Sequence, residues 1–283
     1  DDSTFVASLD SDGFTVGDDV IVNTSGENYA SWNWLAGGSG VANTTGTMDS
    51  TVSANTTAGF SIVTYVGHSN GATSGTVGHG LATAPELLIV KPFSGAGAWT
   101  VGSTAMGWNK YLELNQTSAE ATDTGTWTNT APTASVFSVG ASDATNEDDI
   151  DFIAYCFSPV EGYSKIGTYT GNGNNDGTFI YTGFRPAYTM TKNLASAEGY
   201  TGWTIQDVKR ATYNIVTLGT MLTAGGNYAE GTRSQGSTST LDYYDILSNG
   251  FKMQGTGYEI NQADAVYLYI AFAEYPFKYT NAR

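Results

Sequence analysis

Residues 61–91, SIVTYVGHSNGATSGTVGHGLATAPELLIVK, have a second version at residues 164–192, SKIGTYTGNGNNDGTFIYTGFRPAYTMTK. Each opens with a strand of β-branched and aromatic residues, the types that suit a pleated, half-buried surface. Each then turns at a Thr-Tyr-x-Gly corner, Thr64–Gly67 and Thr168–Gly171, into a tip rich in Gly and Asn. Gly and Asn tolerate the positive φ that tight turns need. A second strand, a proline (Pro85, Pro186) and a last strand ending in lysine (Lys91, Lys192) complete the pattern.

The duplication runs further. GFSIVTY at Gly59 resembles GYSKIGTY at Gly162, Gly80 pairs with Gly183, and Trp99 with Trp203. Each unit closes with a Phe strand, a Gly/Asp/Asn loop and an aromatic strand. These are SVFSVGASDATNEDDIDFIAYCF (135–157) and NGFKMQGTGYEINQADAVYLYIAF (249–272). A third copy of this closing element opens the chain as DGFTVGDDVIVNTSGENYASWNW (12–34). In all three an asparagine stands six residues before an aromatic: Asn23 and Tyr29, Asn146 and Phe152, Asn261 and Tyr267.

Gly or Asn interrupts most of the chain every 8–12 residues, the spacing of sandwich and barrel proteins. The predicted fold is all-β: two tandem β-sandwich or jelly-roll-like units preceded by a partial unit. The partition is a closing hairpin at 1–36, an ordered extended connection at 37–58, and repeat units at 59–158 and 159–283. Within the connection, NTTGTMDSTVSA (43–54) also reads as a short hairpin. DFIAYCF and VYLYIAF are apolar on both faces and read as central strands covered on both sides. Phe137 is expected to match Phe251, and Tyr155 to match Ile270, with all four buried.

Charged residues are 13% of the chain, about half the usual ~25%. Ser, Thr, Asn and 35 glycines supply the missing polarity, as in β-rich extracellular or virion surface proteins. A net charge of −16 disfavours nucleic acid and anionic membrane surfaces as partners. No apolar run approaches the ~20 residues of a membrane helix, so no membrane insertion is expected. A start at Asp1-Asp2 rather than Met is that of a processed product or a fragment. The single cysteine, Cys156, reads as a buried, inert thiol.

Catalytic patterns are scarce, and the chain does not read as an enzyme. The two histidines, His68 and His79, share one loop and lack an adjacent third metal ligand in sequence. His79 reads as a turn residue in GHGL. There is no G-x-S-x-G elbow, P-loop or dinucleotide fingerprint. The acidic loops NEDDID (146–151) and GNGNNDG (171–177) offer the hard oxygen ligands that Ca2+ takes, without an EF-hand pattern. No other cofactor is indicated. Trp99 and Trp203 occupy equivalent repeat positions and therefore read as core. Aromatics without a repeat partner are better binding candidates: Trp108 in MGWNK, Trp127 in GTWTN and Tyr228 in GNYAEG, each in the Gly/Asn/Thr context of an exposed loop.

Several of these stretches together resemble a phage family. They are DGFTVG…VNTSGENYASWNW, STVSANTTAGFSIVTYVG, GHGLATAPELLIVK, EGYSKIGTYTGNG…FIYTGFRPA and IAFAEYPFKYTNAR. The chain is similar over nearly its whole length to tail-fibre-like virion proteins of tailed phages, many marine, which carry a repeated C-terminal domain of unknown function. The resemblance implies a virion protein, a tail fibre or tail appendage that adheres to a host-surface glycan, with other virion proteins as partners. It also implies a homo-oligomer, trimeric by preference. In a chain of net charge −16 the basic-aromatic end Tyr275–Arg283 is itself the expected contact, either with a symmetry mate or with the preceding unit. It transfers no catalytic residues. The alternatives are a capsid decoration or head-fibre protein, a cellular carbohydrate-binding adhesin, and a polysaccharide depolymerase, which would need a carboxylate pair in a groove.

Overall fold

A computed structural model describes residues 5–68, 73–195, 202–210, 214, 221–225, 230 and 243–274. The chain divides into residues 1–34 and residues 35–283. The first contains strands β1 (Val6–Leu9) and β2 (Phe14–Val16), paired antiparallel, and a single helical turn, α1 (Val20–Asn23).

Residues 35–283 begin with β3 (Val41–Asn43) and β4 (Ser50–Asn55). The first repeat follows: β5 (Phe60–Val66), β6 (Gly75–Gly78), β7 (Leu87–Pro92), β8 (Thr100–Ser103), β9 (Lys110–Glu113) and β10 (Ala121–Thr122). It continues through α2 (Thr124–Trp127), β11 (Val136–Val139), α3 (Asp143–Asn146) and β12 (Asp151–Phe157). The second repeat holds β13 (Ser164–Thr170), β14 (Asp176–Tyr181), β15 (Pro186–Asn193), β16 (Trp203–Asp207) and β17 (Leu222–Ala224). It ends with β18 (Tyr243–Leu247), β19 (Gly250–Gln254) and β20 (Val266–Ala273). The all-β expectation holds, and each apolar run predicted as a strand is one.

The sheet orders show the duplication directly. The large sheet of the first repeat runs β10-β9-β8-β7-β12-β5-β4-β3, and that of the second runs β13-β20-β15-β16-β17. Thus β5-β12-β7-β8-β9 and β13-β20-β15-β16-β17 are the same five strands in the same order. A small sheet, β6-β11 in one repeat and β14-β19-β18 in the other, lies over each. Val63, Tyr65, Leu88, Val90, Phe152 and Ala154 of the first large sheet share one core with Val77, Phe137 and Val139 of the small sheet. In the second repeat Tyr169, Tyr267 and Tyr269 meet Ile180, Phe251 and Met253 in the same way.

The central strands are apolar on both faces because each repeat covers the other. Behind the cores lies a further set of buried residues, among them Leu87, Ile89, Ile166, Leu268 and Ile270. Phe157 of β12 meets Phe272 of β20 with ring centroids 5.9 Å apart. Trp203 Nε1 donates to the Glu113 carbonyl at 3.0 Å, and the Glu120 amide donates to the Leu194 carbonyl at 2.8 Å. Lys192, wholly buried, donates from Nζ to the Thr117 carbonyl at 3.0 Å. Burial pulls its pKa down to about 8, because the low-dielectric junction disfavours the ammonium.

Two expectations are corrected. Phe137, Phe251 and Ile270 are buried, but Tyr155 is half-buried: it lies on the back face of β12, stacked on Trp99 at 6.1 Å. The stretch 37–58 is more than an extended connection. Its β3 and β4 form a hairpin whose second strand pairs with β5 along its whole length, from Ser50↔Tyr65 to Asn55↔Phe60.

Candidate functional site

The closing asparagines are structural clamps. In all three copies the asparagine amide donates to the carbonyl four residues back: Asp19, Ser142 or Gly257. Its Nδ2 donates to the carbonyl six back: Gly17, Gly140 or Gly255, at 2.8, 2.7 and 2.7 Å. In the two complete repeats Oδ1 then accepts an amide just past the Thr-Tyr-x-Gly corner, His68 at 2.7 Å and Asn172 at 3.0 Å. A fully bonded buried amide ties the corner to the closing strand, and losing one partner leaves the others desolvated and unpaired.

That clamp accounts for the acidic loops. Asn146 and Asn261 point inward, and Asp149 sits in left-handed backbone at φ 62°. Asp148 lies 3.7 Å from the exposed His68 ring, and Asp176 pairs with Lys252. Among the described residues no three His, Cys, Asp or Glu side chains converge as metal ligands. His79, expected as a turn residue, is a buried one. Its ring is buried, with Nδ1 accepting the Leu81 amide and Nε2 facing the Thr133 carbonyl, both at 3.1 Å. This fixes the neutral Nε2–H tautomer and commits both nitrogens, so the ring has no lone pair for a metal. Burial holds its pKa below the usual 6.5. The buried Cys156 thiol is pushed up to about 12, which leaves it protonated and inert.

The expected binding tryptophans are core residues. Trp127 is 0% exposed and Trp108 5%, and their rings meet edge to face at 5.7 Å. Both rings lie over Gly102, where an added Cβ would stand 2.7 Å from each. The glycine context that reads as a loop in sequence thus makes room for two indoles. Tyr228 and the whole of the expected contact Tyr275–Arg283 lie outside the described residues.

The exposed aromatics are elsewhere. On β14 the burial alternates: Ile180 faces the core, while Phe179 and Tyr181 face solvent at 44% and 59% exposure. Side chains two apart on a strand share a face about 7 Å apart. The Phe179 ring lies across Gly250, where an added Cβ would meet it at 3.0 Å. Lys165 sits over the Tyr181 ring at 5.3 Å and donates to the Tyr181 carbonyl at 2.8 Å. The register Phe179↔Lys252↔Asp245 places three side chains in a row on that face. Gln254, two residues from Lys252, donates to Asp245 at 2.9 Å. Two rings are therefore flanked by ammonium, carboxylate and amide groups.

Among the described residues the first repeat has no such face. Val77↔Phe137 corresponds to Ile180↔Phe251, so Thr76 and Gly78 stand where Phe179 and Tyr181 stand. The segment before β4 covers them. The Thr47 and Met48 amides both donate to the Thr76 carbonyl at 3.0 Å, and an added Cβ on Gly78 would meet Asn43 Oδ1 at 2.6 Å. The comparison GTVGHG against GTFIYTG held the signal in sequence: two aromatics without a repeat partner.

A groove of about 500 Å³ opens beside β3 and β4, lined by Val41, Asn43, Thr44, Thr45 and Ala54 among others. It carries no charged or aromatic side chain.

The architecture is that of a duplicated all-β sandwich with a third, partial copy of the closing element. The chain belongs to the DUF7483 family, a domain of unknown function, whose model matches residues 1–276. No curated protein and no solved structure matches it.

Proposed function

We propose that this protein is a structural component of a phage virion, a tail fibre or tail appendage, that adheres to a glycan on the host surface without catalysing a reaction. The observation that carries the adhesive part is the solvent-facing pair Phe179 and Tyr181, set among Lys165, Lys252, Asp245 and Gln254. The apolar C–H face of a pyranose stacks on an aromatic ring, and neighbouring charged and amide groups hydrogen-bond its hydroxyls. With a net charge of −16, the protein favours neutral sugars over anionic ones. The resemblance of the sequence motifs to tail-fibre-like proteins supports the virion assignment, and individually weak sugar contacts suit a homo-oligomer, trimeric by preference, that multiplies them.

The test combines location with binding. Labelling in purified virions is expected to place the protein on the tail; labelling on the head identifies a decoration or head-fibre protein, and absence from particles a cellular adhesin. Purified protein is expected to bind host polysaccharide. Phe179→Ala and Tyr181→Ala should each weaken binding about tenfold, or ~1.4 kcal/mol, with unchanged Tm. Binding that survives both substitutions removes this face from the reading, and release of sugar fragments replaces adhesion with depolymerisation.

A further inference from the structure

The element at residues 5–34 has the internal geometry of a repeat's closing half but not its surroundings. The Asn23 bonds to Gly17 and Asp19 reproduce those of Asn146 and Asn261. Tyr29 also repeats two hydrogen bonds of Tyr267. Each hydroxyl accepts an amide five residues back, from Thr24 or Gln262 at 2.8 Å. Each donates to a carbonyl nine residues back, Val20 at 3.2 Å or Tyr258 at 2.8 Å.

What differs is the cover. Phe137, Phe152, Tyr267 and both repeat asparagines are 0% exposed. Their counterparts Phe14 and Tyr29 are 38% and 53% exposed, and α1 buries no residue. Asn23 Oδ1, which should receive the corner amide, accepts from no described residue. In the complete repeats the cover is an opening half. Phe152 stacks on Tyr65 at 5.3 Å, Phe137 meets Tyr65 edge-on at 6.0 Å, and Tyr267 stacks on Tyr169 at 4.8 Å.

We infer that residues 5–34 form a docking surface for a polypeptide segment of the same repeat type lying outside these 283 residues. The segment is an opening half: a strand ending in Thr-Tyr-x-Gly, then its return strands. Its tyrosine ring packs between Phe14 and Tyr29, and the amide after its glycine donates to Asn23 Oδ1. Its two outer strands pair with the stretch beginning at Asn28, as β5 and β7 pair with β12. Main-chain pairing supplies the affinity, and the tyrosine between two rings with the captured amide supplies the specificity, as in strand addition generally.

The experiment grafts residues 59–92, the first repeat's opening half, ahead of the full chain through a flexible Gly/Ser linker and reads hydrogen exchange. The amides of Asn28–Ser31 are expected to become as protected as those of Asp151–Ala154. Tyr65→Ser in the graft, or Asn23→Ala in the chain, should abolish that protection. A second graft, residues 162–193, guards against failure of the first to fold. The inference is overturned if neither graft protects Asn28–Ser31 while Asp151–Ala154 stay protected. It is equally overturned if the ungrafted chain already protects Asn28–Ser31 in a concentration-dependent way, which makes a second copy the occupant.

Discussion

The two repeats share five strands in one order, one clamp and one core plan, yet they treat the outer face of the small sheet in opposite ways. In the first, Thr76 and Gly78 lie beneath residues 43–48, and the β3-β4 hairpin that contains those covering residues extends the sheet past β5. In the second, Phe179 and Tyr181 stand in solvent, and among the described residues no strand pairs with the outer edge of β13. Lys165 lies along that edge, a common way to discourage pairing with another strand. Duplication preserves the core, where each substitution is felt by many neighbours, and leaves the outward positions free to diverge. One copy spent that freedom on self-covering and the other on exposed rings.

The comparison breaks most visibly at the junction. Trp203→Ala removes a fully buried indole and its bond to Glu113, so a loss of about 3–5 kcal/mol is expected. Trp99→Ala, at the half-buried equivalent, should cost less. Thermal melts of the two variants check the difference, and equal losses would mean that the repeats are not packed as described. Next come the clamps: Asn146→Ala and Asn261→Ala each strand several buried partners and should cost about 2–4 kcal/mol. Asn23→Ala in the exposed copy should stay within about 0.5 kcal/mol. Denaturant titration reads all three.

The buried Lys192 makes a prediction in pH. Its folded pKa of about 8 lies below the unfolded 10.5, so the folded state binds fewer protons between those values. Stability should therefore rise with pH in that window, by about 2 kcal/mol from pH 8 to 9.5. Above pH 10 the sign reverses. Burial raises Tyr65, Tyr169 and Tyr244 above the usual phenol value of 10, so the folded state then holds protons that the unfolded state has lost. Lys192→Met should flatten the rise and leave the alkaline fall. The smallest effects sharpen the contrast between the two outer faces. Gly78→Ala should cost about 1–3 kcal/mol by pressing on Asn43 and Thr45, whereas Tyr181→Ala should change stability by less than about 0.5 kcal/mol.

Much of the fold was legible because strand patterning is local. The runs at Phe60–Val66, Leu87–Lys91 and Val266–Phe272 declare themselves by β-branched and aromatic content, and the triple asparagine spacing marks the clamp. The candidate site was legible only through the repeat comparison, which leaves Phe179 and Tyr181 without partners. Trp108 and Trp127 sit among glycines, and glycine is the same letter whether it serves an exposed turn or yields room to a ring, as Gly102 does. Phe179 and Tyr181 look like core residues in a strand of alternating aromatics. Which face of β14 meets the core depends on Met253 and Phe251, more than seventy residues away.

The order of residues alone thus determined the β class, the duplication and the six-residue Asn–aromatic spacing, because each is written in short-range composition and period. Tertiary structure decided which aromatics are wet. It put Trp127 inside and Tyr181 outside, covered Thr76 with Thr47, gave the back faces of β12 and β20 to each other, and left Tyr29 exposed where Phe152 and Tyr267 are buried. Burial is set by what packs across the gap, and the groups that pack there are brought together only by folding.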